Sequence, residues 1–429
     1  MRSACLRRSV ARGRGRLPRP GVAPLGTCFA LSVVVAVVVF FAACGKRPPE
    51  PVAVIARAPQ GSEPLPEAVA TLSSLGFTVA IVTHHDETAL RAALDAAQKV
   101  GLKLFVGDPR LLTWDFPLDS ALAQAERMAG RLAPHPACAG YWLGTVADTA
   151  LFRRAATLRQ HLASRDRMHK VLVGLTGYGP DQTRRPVRYT LQPLEQFAAI
   201  VRPPVIPFDQ QGIEGGAPAP DFFANLAAAR EAALAARLPW WGTVFEAHGS
   251  DDMGPRDNYL RFQAMCLLAH GATGVEYVLD WATLRAWGAA RGPLPPAARA
   301  VAEINATVAA WSPVLSRTRS VAVYHSDPVP TGGQRVNLQG IVYRIDGDFV
   351  TLGLFRGKSR RDQYVMVVNR NYSRGAKPKL FFSRQVKGLQ EIAPEGVTRQ
   401  VVRFAPEESS RALAVLLKAG GGRLFRLVT

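Results

Sequence analysis

The stretch "HPACAGYWLGTVADTALF", residues 135–152, combines the two patterns that decide the fold. Its first half contains "CAGYWLG" (138–144), an apolar run with the length of a buried strand. Its second half enters "TALFRRAATLRQHL", where apolar residues recur at helical spacing. A buried strand followed by an amphipathic helix is the repeating unit of parallel sheets. The stretch therefore predicts one β/α unit, and its neighbours decide how many more there are.

Seven further apolar runs repeat this unit along the chain. The segment "DETALRAALDAAQKVG" between two of them opens with a capping Asp86 and closes on Gly101, as a helix should. The eight runs are "PVAVIA" (51–56), "FTVAIV" (77–82), "LKLFVG" (102–107), "CAGYWLG" (138–144), "KVLVGL" (170–175), "PVIPFD" (204–209), "WWGTVFE" (240–246) and "GVEYVLDW" (274–281). Eight units over roughly 260 residues predict an α/β fold, a closed (β/α)₈ TIM barrel at residues 51–315. A doubly wound open sheet is the alternative, but no glycine-rich phosphate turn follows the first run.

The pattern changes after the last helix-like segment, which ends near residue 315. Short β-rich runs separated by Gly, Asp, Asn and Pro follow, and none of the intervening segments has helical periodicity. The runs are "SVAVYHS", "GIVYRI", "FVTLGLF", "QYVMVVNRN", "KLFFS", "TRQVVRF", "ALAVLL" and "RLFRLV". This pattern predicts a C-terminal antiparallel β-sandwich at residues 316–429.

The first 43 residues have the features of an export signal. Seven arginines and no acidic residue precede or flank the apolar run of residues 28–43, which ends in small residues. Sixteen residues fall short of the roughly 20 that a membrane span needs, so an uncleaved anchor is the weaker interpretation and a buried first strand the weakest. "FAAC" (41–44) resembles a bacterial lipobox. We therefore predict a signal peptide at 1–43, lipidation of Cys44, a tether at 44–50 and an exported protein anchored to the cell envelope.

The formal charge of +20 is unevenly distributed. Residues 316–429 carry 20 basic and 8 acidic residues, whereas residues 44–315 are nearly balanced at 26 and 25. An exported chain without interleaved basic and aromatic residues argues against nucleic acid as a partner. For the tail, a solvated basic face is favoured over a surface that binds anionic groups. No C-x-x-C or His/Cys cluster indicates a metal, and no cofactor is expected.

Barrel enzymes carry their chemistry at the C-terminal ends of the strands, whose loops share one pocket. Acids, histidines and aromatic rings occur there in this chain. Such a set suits a sugar, because aromatic faces stack on pyranose C–H groups while carboxylates hold hydroxyl groups. The candidates are His84, His85 and Asp86 after the second run, Asp108 after the third, Asp148 after the fourth, Tyr178 after the fifth, Asp209 ending the sixth, Glu246 and His248 at the seventh, and Asp280 and Trp281 at the eighth.

The chain resembles clan A glycoside hydrolases, specifically family 42-like exported proteins with a barrel followed by a β-sandwich. Four stretches carry the resemblance: "HPACAGYWLG", "PPVIPFDQQG", "FFANLAAAREAALAARLPWWGTVFEAHG" and "NYLRFQAMCLLAHGATGVEYVLDW"; "LGLFRGKSRRDQYVMVVNRNY" adds a weaker one. The resemblance implies a retaining mechanism, in which two carboxyl groups lie about 5–5.5 Å apart. It implies Glu246 as the nucleophile, Asp209 as a substrate-binding acid, and an acid/base residue after the fourth strand.

The fourth strand departs from the family at that last position. Thr145 and Val146 stand where the family has Asp and Glu. Asp148, two residues further on, is one candidate replacement acid, but capping the next helix is the favoured role for it. Asp209, Asp86 and Glu276 are further candidates, and an ion pair with an Arg or Lys deep in the barrel is favoured for Glu276.

Two functions follow from these alternatives. The first is a divergent retaining glycosidase with Glu246 as nucleophile and Asp148 as the candidate acid. The second is a catalytically inactive carbohydrate-binding protein at the cell surface. In both, Asp209, Asp280, Trp281, His84, Tyr178 and His248 are the candidate sugar contacts. At most one of His84 and His85 can face the pocket if the strand continues, because side chains alternate.

Overall fold

The computed structural model describes residues 49–58, 66–147, 149–176, 191–209, 213–214, 217–245, 256–289, 292–408 and 410–429. Glu50–Thr429 forms one compact unit. Within the described ranges, no helix has the length and apolar character required to cross a membrane.

Eight parallel strands close into a barrel, as predicted. They are β1 (Ala53–Arg57), β2 (Val79–Thr83), β3 (Lys103–Gly107), β4 (Cys138–Val146), β5 (Lys170–Thr176), β6 (Ile206–Asp209), β9 (Trp240–Phe245) and β10 (Gly274–Val278). Closure comes from the parallel pairing of β1 with β10, in which Ala53 lies opposite Gly274 and Arg57 opposite Val278. This pairing excludes the open sheet. A two-stranded hairpin, β7 (Ile213–Glu214) and β8 (Ala217–Pro218), follows β6.

Helices cover the outside of the barrel. They are α1 (Pro66–Ser74), α2 (Glu87–Val100), α3 (Leu118–Leu132), α4 (Leu151–Arg165), α5 (Leu191–Val201), α6 (Phe222–Ala236), α7 (Arg256–Ala269), α8 (Trp281–Gly288) and α9 (Pro296–Leu315). The predicted caps of α2 are confirmed: Asp86 accepts a hydrogen bond from the backbone N–H of Thr88, and Gly101 ends the helix in the left-handed region. The predicted start of α4 is wrong. Ala150 occupies its N-cap position without a capping side chain, and Asp148 lies outside the described residues.

The inside of the barrel is filled by its own apolar layer, separate from the packing between strands and helices. Ile55, Ile81, Phe105, Trp142, Leu172, Val205 and Trp241 form this inner cluster. Trp142 fits because Gly174 faces it across β4 and β5; a Cβ on that glycine would lie 2.6 Å from the indole. The alternation of side chains then assigns each strand-end residue to the inner or outer face.

Antiparallel sheets follow the barrel, as predicted, with nine strands rather than eight. A six-stranded sheet has the order β11 (Arg319–His325), β13 (Val350–Arg356), β14 (Gln363–Asn369), β19 (Gly422–Val428), β16 (Gly388–Ile392) and β17 (Thr398–Arg403). A three-stranded sheet contains β12 (Val342–Asp346), β15 (Lys379–Phe382) and β18 (Arg411–Ala414). Their facing side chains form a second apolar core. The unpredicted strand is β16.

The six-stranded sheet also packs against the barrel helices. The indole N–H of the fully buried Trp311, on α9, donates to the carbonyl oxygen of Ile392 at 2.8 Å. Gly353 on β13 lies so close to the end of α7 that a Cβ would be 2.3 Å from the carbonyl oxygen of Ala269. The barrel and the antiparallel sheets that follow residue 315 therefore pack together in one compact unit.

Candidate functional site

A partly buried arginine, its side chain 15% exposed, joins three strands at the C-terminal mouth of the barrel. Arg57 is the last residue of β1, and its Nη2 donates to Oδ2 of Asp209, at the end of β6, at 2.8 Å. Its Nε donates to Glu276 on β10, the ion pair predicted for that glutamate. The guanidinium carbon lies 5.9 Å from the ring centroid of Trp142. Arg57 thus connects two carboxylates above the aromatic layer of the barrel interior.

The charges in this cluster shift each other's protonation. Burial raises the pKa of Glu276, and the positive charge of Arg57 opposes part of that rise. Burial alone would lower the pKa of Arg57, but the two carboxylates outweigh it and raise that pKa. Arg57 is therefore a permanent cation, and its partners together offer more acceptor capacity than one guanidinium uses.

One carboxylate oxygen in this cluster has no partner. Oδ1 of Asp209 is buried and receives no hydrogen bond from any residue the structure describes, while Oδ2 is held by Arg57. A buried acceptor without a hydrogen bond costs roughly 1–3 kcal/mol, more when it is charged. A hydroxyl group of a ligand would supply the missing donor. In Asp209, a predicted substrate contact, Oδ2 is therefore fixed by Arg57, whereas Oδ1 can still accept a hydrogen bond.

The fourth strand offers no acid where the resemblance implies one. Thr145 pairs with Gly174 and Val146 with Leu175. The methyl group of Thr145 lies against Gly174 on the inner face, whereas Val146 is fully buried in the outer core between strands and helices. Neither residue places a carboxyl group in the mouth.

Polar residues after β2 and β3 have mainly local partners. His84 is buried and accepts a hydrogen bond from the backbone N–H of Asp86, and its ring stacks on that of the exposed His85 at 4.4 Å. Because β2 ends at Thr83, the alternation of side chains along a strand does not apply to these two histidines; one is buried and the other is exposed. Asp108 is buried and its two oxygens accept from Arg110 at 3.0 and 2.5 Å. Asp108 therefore stabilises its own loop.

The two predicted contacts after the eighth strand have structural roles. Asp280 caps α8, because its carboxylate accepts from the backbone N–H of Thr283 at 2.8 Å and from the hydroxyl of Thr283 at 2.6 Å. Trp281 is 4% exposed and packs in the outer core, with its indole nitrogen buried and unpartnered within the described residues. Its ring faces are not available as a sugar platform in this structure.

The remaining predicted residues lie outside the described part of the chain. They are Glu246, His248, Tyr178 and Asp148 at the mouth, and the lipidation candidate Cys44. The seventh strand ends at Phe245, so residue 246 follows it directly. No group of three or more His, Cys, Asp or Glu residues suited to a metal occurs among the described residues.

Sequence reasoning missed Arg57, the residue that organises the mouth. A signal was present, because Arg57 directly follows the apolar run of the first strand and therefore stands at a C-terminal strand end. An arginine at that position in a buried parallel sheet requires a carboxylate partner. The adjacent eighth strand provides Glu276, and the sixth strand, which is not adjacent, provides Asp209 at the same end of the barrel.

No protein-family model matches the sequence. No curated protein matches it either. Solved structures do match the fold over most of their length. A glycoside hydrolase has a TM-score of 0.58 at 12% identity, covering 88% of this chain and 92% of that one. A family 5 glycoside hydrolase from Bacteroides vulgatus has a TM-score of 0.54 at 11% identity, covering 88% and 89%. Amy13B of Eubacterium rectale has a TM-score of 0.52 at 8% identity, covering 88% and 96%. At these identities the likeness establishes the barrel architecture alone.

Proposed function

We propose that this protein binds a glycan at the mouth of its barrel and does not hydrolyse it efficiently. The observation that carries the proposal is the buried, unpartnered oxygen of Asp209 beside Arg57. An aspartate fixed by an arginine and presenting one free oxygen is suited to accept a sugar hydroxyl, since the bond to a charged acceptor is strong and directional. The architecture shared with the glycoside hydrolases above supports a sugar as the ligand.

The fourth strand supports binding over hydrolysis. General acid assistance contributes about 10²–10⁴-fold to such reactions. Thr145 cannot supply it and Val146 faces the helices. Asp209 and Glu276 are both bonded to the guanidinium of Arg57, so this cluster already uses them as hydrogen-bond acceptors rather than as free acids.

A retaining glycosidase of the family 42-like type is the second candidate function. It is favoured by the position of Glu246, directly after the C-terminal end of the seventh barrel strand. In that case Glu246 is the nucleophile and Asp148 the candidate acid, with His84, Tyr178 and His248 at the rim. The pairing of β9 with β10 puts Thr243 on the same face as Glu276 and Phe245 on the same face as Val278. An inward Glu246 therefore requires the alternation to stop at Phe245.

The leader supports export and attachment to the cell envelope as part of the proposal. The basic start, the apolar run and "FAAC" at 41–44 are the sequence features behind it. Expression in a bacterial host with labelled palmitate should label the wild type and leave Cys44→Ala unlabelled. Labelling of both proteins, or of neither, would contradict the lipid anchor without touching the binding proposal.

Glycan binding is tested by native electrophoresis in gels containing xylan, xyloglucan, galactan, glucomannan, barley β-glucan or amylopectin. The wild type should be retarded by at least one of them, and Asp209→Asn should lose tenfold or more in affinity, equivalent to about 1.4 kcal/mol. Asp108→Asn is the matched control, because Asp108 is also a buried strand-end acid paired with an arginine but has both oxygens satisfied. An equal loss of affinity in both variants would show that Asp209 does not contact the glycan.

Hydrolysis is tested separately with aryl β-glycosides that carry good leaving groups. We expect turnover no faster in the wild type than in Glu246→Gln. Turnover that Glu246→Gln abolishes would instead establish the second candidate, and a ligand-bound structure would then have to show a carboxyl group about 5–5.5 Å from Glu246.

A further inference from the structure

We infer that Trp114 forms a separate sugar-stacking platform at the rim of the barrel. Trp114 lies in the loop after β3, which belongs to the C-terminal face where the mouth opens. This inference rests on the proposed glycan binding and adds a contact beyond the Asp209 cluster. It also specifies the ligand as an oligosaccharide long enough to extend from the mouth to the rim.

Trp114 differs in exposure from every other tryptophan in the protein. All seven lie in the described part of the chain, and Trp114 is 64% exposed. The other six, Trp142, Trp240, Trp241, Trp281, Trp287 and Trp311, are 7% exposed or less. Leaving most of a side chain of this size in water forgoes favourable burial of apolar surface, so a partner that covers the ring has a driving force for binding.

The loop around Trp114 is built to hold the ring in place. Leu111 and Leu112, just before it, are buried in the core. From α4, Arg154 donates to the carbonyl oxygen of Leu111 at 3.1 Å and to that of Phe116 at 2.5 Å, so one side chain fixes the backbone on both sides of the tryptophan.

A second arginine braces the base of the same loop. The guanidinium of Arg110 is bonded to the buried Asp108 and lies 5.4 Å from the centroid of the Phe116 ring. An aromatic ring on a braced loop loses little conformational entropy when it is covered, which is what an efficient binding contact requires.

A pyranose ring is the ligand group that fits this arrangement. Its axial C–H groups carry slight positive charge and pack on the negative face of an indole, while its hydroxyl groups stay in water at the edge. Thr113 and Asp115, the exposed neighbours of Trp114, provide polar groups at that edge. A flat apolar partner would leave these polar neighbours uncompensated.

The test measures the chemical oxidation of Trp114, the single exposed tryptophan, with and without ligand. N-Bromosuccinimide should oxidise one tryptophan in the native full-length protein, and peptide mass spectrometry should locate it at Trp114. A polysaccharide from the panel above that is bound by the wild type should protect Trp114 from oxidation. Trp114→Ala should lower affinity for that polysaccharide about tenfold, and Trp114→Phe, which keeps a ring, should lower it less.

Met168→Ala is the matched control, because Met168 is 87% exposed in the loop before β5, on the opposite face of the barrel. It should leave affinity unchanged, and all three variants should keep the wild-type circular dichroism spectrum. Binding that neither protects Trp114 nor depends on it overturns this inference and leaves the Asp209 site standing. If no polysaccharide binds, both proposals fall.

Discussion

Two arginines are held in different ways: Arg57, partly buried at the barrel mouth, and Arg370, buried at the junction with the C-terminal sheets. Arg57 bonds to two carboxylates, and one of those carboxylates keeps an unused buried oxygen. Arg370 donates to the carbonyl oxygens of Ser326 and Pro328 at 2.8 and 2.9 Å. No carboxylate lies within ion-pair distance of it in the described part of the chain.

The difference separates the proposed ligand site from a structural contact. At the junction, the ring centroids of Phe223 and Phe349 lie 5.6 and 5.8 Å from the cation. Burial lowers the pKa of Arg370 to about 10, a shift that the more distant charge of Asp327 partly opposes. The N–H groups of Arg370 donate to backbone carbonyl oxygens of the protein itself. At the mouth, the two carboxylates have more acceptor oxygens than the protein supplies with donors, because Oδ1 of Asp209 has no hydrogen bond within the described residues. A surplus of buried acceptors, rather than the presence of charge, is what marks the mouth as a place for a ligand.

The largest effect should come from removing the cation at the mouth. Arg57→Met leaves Asp209 and Glu276 buried without a counter-charge, which typically costs about 3–5 kcal/mol. Urea unfolding at pH 7 measures it. Adding Asp209→Asn and Glu276→Gln to Arg57→Met should recover much of the loss, since the uncompensated charges are gone. A loss below about 1 kcal/mol in the single variant would mean that the triad is weakly coupled.

Acidification should lower the free energy of unfolding through the buried histidines of the junction, by somewhat less than Arg57→Met does. Burial lowers the pKa of His270 from 6.5 to about 4, with Arg230 adding to the shift, and burial lowers that of His325 to about 2. Histidines kept neutral by the fold stabilise it fully above pH 6.5, and this stability is lost as pH falls through the folded-state pKa. For His270 the loss is about 3 kcal/mol between pH 6.5 and 4.

The mouth should respond to pH in the opposite direction. Burial raises the pKa of Glu276, so its contribution is most favourable below pH 4.5 and declines as pH rises. Unfolding curves at pH 4, 5, 6 and 7 separate the two regions. The acid sensitivity should be reduced in His270→Asn and retained in Glu276→Gln; the reverse order would assign it to the mouth.

Removing the junction cation should cost less than removing that at the mouth. Arg370→Met leaves carbonyl oxygens without a donor but no uncompensated charge, so we expect about 1–3 kcal/mol. Its urea midpoint should fall between those of the wild type and Arg57→Met. Arg335→Met, which breaks an exposed pair with Asp327, is the control and should change stability by under about 1 kcal/mol. A loss as large as that of Arg57→Met would erase the distinction between the two arginines.

The smallest effect should come from Asp280, which caps α8 near the mouth. Asp280→Ala should cost about 1 kcal/mol, and Asp280→Ser should restore most of it, because serine also caps helices. Glycan affinity should be the same in both variants. Weak binding by Asp280→Ser despite restored stability would show that the carboxylate contacts the ligand.

The barrel could be predicted because its signal is repeated. Each buried parallel strand is a continuous apolar run, and eight of them with intervening helices leave few alternatives. Strand β16 was missed because "GLQEI" lacks this character. Gln390 is half-buried, and Glu391 is offset by Arg423, which donates to it at 2.6 and 2.5 Å from the adjacent strand. A partner 32 residues away is not readable from the local pattern.

The site was predicted less completely than the fold. Asp209 and the pairing of Glu276 followed from strand-end position and parity. Trp281 did not behave as expected, because a residue type that stacks on sugars also fills cores, and only packing distinguishes the two roles. Trp114 was overlooked because the sequence does not reveal that a ring in a loop is exposed and braced.

The register of β4 limits which of its positions could carry the acid of a glycosidase. Val146 faces the helix layer. A glutamate at that position would bury an unpaired charge in the apolar core, which would destabilise the fold and would not place a carboxyl group in the mouth. Thr145 faces inward, and its methyl group lies beside Gly174, which is also the residue that leaves room for the indole of Trp142. Of the two positions at which the resemblance implies an acid, only residue 145 therefore faces the interior of the barrel.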